Sequence, residues 1–235
     1  MSDLAFEYAS AYPFDIPEHS FLFNPHAAEV ERFCFSAIDD PDLIPVAAVG
    51  SNAAPSQLHR KFPAAEAFSD VIPVLYTKMQ DFDIVYAARV SKYGSIPATP
   101  YPSPGTCVRL HVTFLTAATL ERMNATESLG VGYDLVELPA DSFPELAGRA
   151  VLGYVAHSGA LIVDGHPLAL ERAPAVNRIY PQASEKHAIH TVANVLGYPA
   201  HGLVHSVIDD LALHAQLNQR LATRGRRWPV PAGAH

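Results

Sequence analysis

With 235 residues, 49% of them apolar and 17% charged, the chain has enough material for one large globular domain or two small ones and is not a disordered polymer. A net charge of −8 argues against a general nucleic-acid or membrane-surface binder, which would carry a basic face. Cys34 and Cys107 do not form a Cys-x-x-Cys pair, which argues against a disulfide framework or a thiolate zinc site. They fit a reducing cytoplasm, as does a start at Met1-Ser2-Asp3 without the features of a secretory signal. No run approaches the roughly 18 uncharged apolar residues of a transmembrane helix.

Residues 1–45 are rich in aromatics (Tyr8, Tyr12, Phe14, Phe21, Phe23, Phe33, Phe35) and broken by Pro13, Pro17, Pro25 and Pro41. So many rings are expected to pack on the domain or on a second subunit, with a short helix between His26 and Phe35. Val46 to Val49 then reads as a buried strand, followed by a Gly50-Ser51-Asn52 turn and a helix from Ala54 to Lys61 with Pro55 near its start. A strand, a tight turn and a helix N-terminus form a natural cradle for a carboxylate or oxyanion, because successive N–H groups converge there. An ordinary strand-to-helix turn has the same pattern.

Val71–Met79, interrupted by Pro73, and Ile84–Val90 read as two short strands. Ser91 to Pro104 reads as an extended loop. Cys107–Phe114 alternates, with Val108, Leu110, Val112 and Phe114 on one face and Arg109, His111 and Thr113 on the other, which marks a half-buried strand. Thr116 is placed to cap a helix. On it Leu120, Met123 and Glu127 stand at i, i+3 and i+7 and share one face, so a carboxylate lies in line with the apolar stripe. Such an acid is paired, protonated or functional, and desolvation would suit it to general base work near neutral pH. Rotation into solvent, or pairing with a cation such as Arg89, is the plainer alternative. Tyr133–Leu138 and Ala150–Ala156 read as strands, and Leu161–Leu170 as a hairpin around Asp164-Gly165. Ser184–Leu196 is expected to be helical, with Ser184 and Gly197 as caps, and Gly202–Ala222 one longer amphipathic helix carrying Leu203, Val207, Leu211 and Leu217. The basic run from Arg224 to Arg227 reads as a frayed, solvated tail.

The order of these pieces resembles the γ-glutamylcyclotransferase-like superfamily. Members carry a Tyr-Gly-Ser-Asn-Leu turn, a helix of the type Leu-x-x-Leu-Asp-x-x-Glu-Gly and a Tyr soon after. Here Val49-Gly50-Ser51-Asn52-Ala53, the stretch from Leu120 to Ser128 containing Glu127, and Tyr133 stand in those places. Gly94-Ser95-Ile96-Pro97-Ala98-Thr99 is similar to the family's Gly-x-x-Ala-Thr segment. Val49 stands for the usual Tyr, Ala53 for Leu and Ser128 for Gly, which marks a diverged member with a remodelled pocket.

The resemblance implies an α+β fold, a small mixed β-barrel flanked by helices over residues 46–183. An N-terminal extension (1–45) and a helical C-terminal addition (184–235) frame it. It implies an enzyme that closes a γ-glutamyl amide, or a related small amide, into 5-oxoproline with release of an amine. Glu127 is the implied general acid/base, Gly50 to Ala53 the anion or carbonyl cradle, and Val49, Ser95 and Tyr133 further substrate-binding residues. No metal, cofactor, nucleic acid or membrane enters that scheme. The aromatic N-terminal arm and the long C-terminal helix suggest a homodimer.

Other chemistry is less well marked. His201 and His205, at i and i+4, have zinc-ligand spacing, but His201 precedes Gly202 and no Glu follows it. Glu185, His187 and His190 lie on a helix that can lean over the site, and Tyr93, Gly94 and Ser95 on a loop that can line it. Ser51 lacks the Gly-x-Ser-x-Gly elbow of a hydrolase nucleophile. A non-catalytic small-ligand-binding or regulatory module on the same fold is the alternative. The discriminating expectation is that in an enzyme Glu127 sits in a pocket, faces the Gly50–Ala53 turn and has no Arg or Lys against it. A salt-bridged Glu127 would favour the binding module.

Overall fold

The computed structural model describes residues 3–34, 38, 40–64, 70–127, 129–146 and 148–229. Its elements run α1 (Leu4–Ser10), β1 (Phe21–Phe23), β2 (Glu31–Arg32), β3 (Ile44–Ala48), α2 (Pro55–Lys61), β4 (Ile72–Tyr86), β5 (Ala98–Leu115), α3 (Ala117–Thr126), β6 (Tyr133–Leu138) and β7 (Val151–Ala156). There follow β8 (Ala160–Val163), β9 (His166–Pro167), β10 (Ala169–Leu170), β11 (Ala175–Val176), β12 (Gln182–Ala183), α4 (Glu185–Leu196), α5 (Ala200–Asp209), α6 (Leu211–Ala222) and β13 (Gly225–Arg226). The fold is α+β.

A mixed sheet runs β12-β10-β4-β5-β3-β7-β6, with β1, β2 and β11 added at its sides, and β13-β8-β9 form a small second sheet. Among the described residues no ladder joins β12 to β6, so the sheet is open and the expected barrel is corrected to an open mixed sheet. β3 lies inside it, antiparallel to β5 and parallel to β7. Its two neighbours pair both of its edges, and a hydrophobic cluster covers each of its faces, which is why it reads as an unbroken run of small apolar residues. Alternation sends Val46 and Ala48 to one hydrophobic cluster, with Phe21, Phe23, Leu58, Phe62 and Met123, and Ala47 to the other. The second cluster is built with α1, α4, α5 and α6, and holds Phe6, Ile189, Val192, Leu203, Val207 and Leu217.

Several local expectations are corrected. The two strands expected at 71–79 and 84–90 are the single long β4, in which Asp81, in the left-handed region at φ 61°, makes a bulge between Gln80 and Phe82. Part of the expected loop from Ser91 to Pro104 is strand: β5 begins at Ala98 and pairs with β4 as far as Tyr86. Pro100, Pro102 and Pro104 share the register parity of Ala98, whose N–H turns away from β4 to the Tyr12 hydroxyl, so the prolines forfeit no bond to that neighbour. His111 and Thr113 are buried despite standing on the polar face of β5, because the N-terminal segment covers that face.

The helix expected between His26 and Phe35 is absent from the described part of that stretch, where β2 pairs with β1; Phe35 lies outside the described residues. The long C-terminal helix breaks at Asp210, whose extended backbone (φ −134°, ψ 102°) ends α5 and whose carboxylate caps α6 through the N–H groups of Ala212 and Leu213. The tail is not frayed through residue 229: β13 pairs with β8, and Trp228 is buried against Phe82. Residues 230–235 lie outside the described part. Thr116, Ser184 and Gly197 cap their helices as the sequence indicates, Gly197 at φ 81°. Among the described residues no helix is long and apolar enough to cross a membrane.

Candidate functional site

β3 delivers the chain to Val49 and Gly50, and a single 3₁₀ turn, Ser51–Ala53, leads into α2. Pro55 sits in the first turn of α2, where its missing N–H costs nothing. The last turn of α2 carries the basic residues His59, Arg60 and Lys61, of which Arg60 and Lys61 place positive charge at the negative end of the helix. α3 ends beside it, with Glu127 as its C-cap residue. Lys61 and Glu127 therefore come from two adjacent helix ends and form an ion pair.

A cavity of about 230 Å³ opens here. Val49, Gly50, Ser51, Asn52, Glu127 and Tyr133 line it, so most of the residues singled out from the sequence meet at one place. Ala53 and Ser95 are fully buried and do not line it; the Ser95 hydroxyl is bonded at 2.9 Å to that of Ser91, which does. Tyr93 lines it as well. Of the suggested helpers on α4, none does. Glu185 is buried and accepts the Ile96 N–H at 2.6 Å, and burial holds its carboxyl well above the usual carboxylate range. His190 meets the Phe6 ring edge-on instead. His201 and His205 both face the Asp3 carboxylate, at 2.8 and 3.0 Å. Ser128 lies outside the described residues.

Glu127 satisfies one half of the discriminating expectation and fails the other. It sits in the cavity with the Gly50 turn, but Lys61 is against it. Lys61 is itself buried and also donates to Asn52 Oδ1 at 2.9 Å, so it ties the acid to the turn. Tyr154 donates to Asn124 Oδ1 at 2.6 Å, and Tyr133 to the Ala98 carbonyl at 3.4 Å. Burial pushes both phenols up, and the nearby Glu127 carboxylate pushes them the same way, so they stay neutral donors.

Two contributors, Tyr12 and His214, were not evident from the sequence, and a third, Arg89, takes another place than the pairing with Glu127 considered there. Tyr12 reaches in from the N-terminal segment; its hydroxyl accepts the Ala98 N–H at 2.8 Å, and burial keeps it protonated. It fixes the glycine at position 50, because a Cβ there would lie 2.0 Å from the Tyr12 hydroxyl oxygen. Arg89 lies over the Tyr133 ring, 5.1 Å from its centroid. His214, from α6, bonds the Val90 carbonyl at 2.9 Å, while Asn218 accepts the Val90 N–H at 2.7 Å, and together they hold the segment that carries Arg89, Ser91, Lys92 and Tyr93. Each is brought in over a long stretch of chain by tertiary packing, and no local spacing announces it.

Solved structures similar to this chain include the following two. One is an uncharacterized protein from Homo sapiens, at 14% identity and TM-score 0.38, covering 83% of this chain and 94% of that one. The other is a gamma-glutamyl cyclotransferase, at 13% identity and TM-score 0.38, covering 82% of this chain and 94% of that one. No family model matches the sequence, and no curated protein matches it.

Proposed function

We propose that this protein is a γ-glutamylcyclotransferase-like enzyme that releases an amine from a γ-glutamyl amide, or a related small amide, by cyclisation to 5-oxoproline. The observation that carries the reading is that Glu127 and the Gly50–Asn52 turn, 75 residues apart in the chain, line one cavity. In the resting site Lys61 balances the Glu127 charge, and the ligand's α-ammonium takes over that place. Glu127 accepts a proton from the ammonium. The freed amine attacks the γ-carbonyl carbon, the C–N bond to the leaving group breaks as Glu127 returns its proton to the departing nitrogen, and the second proton of the attacking nitrogen follows through Glu127, so that 5-oxoproline and an ammonium are released. The Gly50–Ala53 turn holds the α-carboxylate or polarises the carbonyl. Because the attack is intramolecular, the protein's work is to hold a folded conformer and to move a proton.

The test is a paired assay of wild type and Glu127→Gln on a panel of γ-glutamyl amides, following amine and 5-oxoproline. Loss of a general acid/base predicts a fall of about 10²-fold or more in kcat with folding intact. Undiminished turnover by the variant would sink the proposal. The Lys61–Glu127 ion pair favours a second reading, a binding or regulatory module on the same fold. That reading expects ligand-induced thermal stabilisation and no turnover on any member of the panel.

A further inference from the structure

We infer that Arg89 receives a carboxylate of the ligand and that, with Arg60 and Lys92, it makes the cavity select compounds of net negative charge; this rests on the proposed function for the identity of the site. The first support is the charge balance. Arg60, Lys61, Arg89 and Lys92 all line the cavity, and among the described residues Glu127 is its sole Asp or Glu. Among the described residues only Lys61 of these four has an ion-pair partner. The four tyrosines of the lining add no negative charge: burial raises Tyr12, Tyr93, Tyr133 and Tyr154 alike. His214 is occupied by the Val90 carbonyl. Among the described residues three cations without an ion-pair partner, the exposed Arg60 and Lys92 and the half-buried Arg89, thus line one concavity of a chain whose net charge is −8. Low-dielectric walls focus such a field on whatever enters.

The second support is Arg89 itself. Its Nη1 is buried and has no hydrogen-bond partner among the described residues. A buried guanidinium N–H without an acceptor is costly, and a carboxylate matches its planar fork. The guanidinium is also built in. The Tyr133 ring supports it from one side, and Gly132 leaves it room, since a Cβ there would come 1.7 Å from Nη1. A surface arginine has no such seat.

The test is calorimetric binding to the full-length protein of glutarate, of uncharged glutaramide with the same carbon chain, and of inorganic phosphate. Wild type, Arg89→Gln and Arg89→Lys are compared. Glutarate is expected to bind wild type, to weaken about tenfold or more in Arg89→Gln, and to weaken less in Arg89→Lys, which keeps the charge but not the fork. Should Arg89→Gln fail to fold, the Arg89→Lys loss decides. Equal glutarate affinity in wild type and variants overturns the inference, as does no binding to wild type or glutaramide binding as well as glutarate. Phosphate binding as tightly as glutarate overturns the carboxylate assignment. Arg89-dependent glutarate binding without turnover of any γ-glutamyl amide leaves the inference standing and removes the reaction. Turnover with Arg89-independent binding does the reverse.

Discussion

Replacing Lys61 by Met tests how far the site is a stability burden as well as a chemical device. Met matches the Lys stem closely in volume, so little packing is lost. What is lost is the charge. Only 5% of the Lys61 side chain and 15% of that of Glu127 is exposed, so the variant leaves a carboxylate nearly out of water without its cation. Breaking a buried pair from one side costs about 3 kcal/mol. The Asn52 side-chain Oδ1 also loses its donor, for about 1 kcal/mol more, while residual water at Glu127 trims the total. The expected loss is about 3 kcal/mol, read as a lower urea midpoint at pH 7 with an unchanged slope. The decisive comparison is the double variant Lys61→Met/Glu127→Gln, in which no uncompensated charge remains. It should be more stable than the sum of the single losses implies, by about 2 kcal/mol. Single losses that add to within about 0.5 kcal/mol would refute the argument, because they would mean the two groups do not sense each other.

Protonation gives a second handle. Burial lowers His111 from 6.5 to about 4, against the opposing effect of backbone carbonyls, and Nε2–H donates to the Pro17 carbonyl at 2.9 Å. The unfolded state binds the proton more readily than the folded one, so the contribution is complete above pH 6.5 and is lost as pH falls through about 4. Its size is roughly 3 kcal/mol at most. Denaturation midpoints of wild type and His111→Gln across that window should differ in slope by about one proton, and parallel curves would contradict it. At the α5–α6 break, Asp210→Ala removes the acceptor for two N–H groups at 2.9 Å and should cost about 1 kcal/mol in chemical denaturation.

Local chemistry was readable in the sequence wherever one residue acts on its close neighbours. Thr116, Ser184 and Gly197 cap helices because a cap needs only the adjacent turn. The run around Val46 declared a buried strand because both of its faces are covered. Glu127 and the Gly50 turn could be paired only through the resemblance, since nothing in their spacing brings them together. Reading failed where tertiary context overrode a local signal. The prolines of β5 looked like loop until their shared parity put the missing N–H groups on the side away from β4. Asp210 was hidden inside an amphipathic pattern that runs on at the same period through the break. In the sequence Lys61 stood out only as the end of a helix, and its burial depends on α3 coming up beside it. Arg89 was weighed as a partner for Glu127, whereas Lys61 holds that position and Arg89 lies over Tyr133.

The cavity draws its walls from Tyr12 near one end of the described chain and from His214 near the other, with the Gly50 turn between. It is therefore complete only when α6 is docked on Val90 and holds the Arg89–Tyr93 segment. Trimming the first 45 residues as a dispensable leader would remove the ring that packs on Gly50 and open the site from the other side. Ligand binding by this protein should thus report the integrity of the whole chain, and a species that keeps its sheet but sheds either end should go silent.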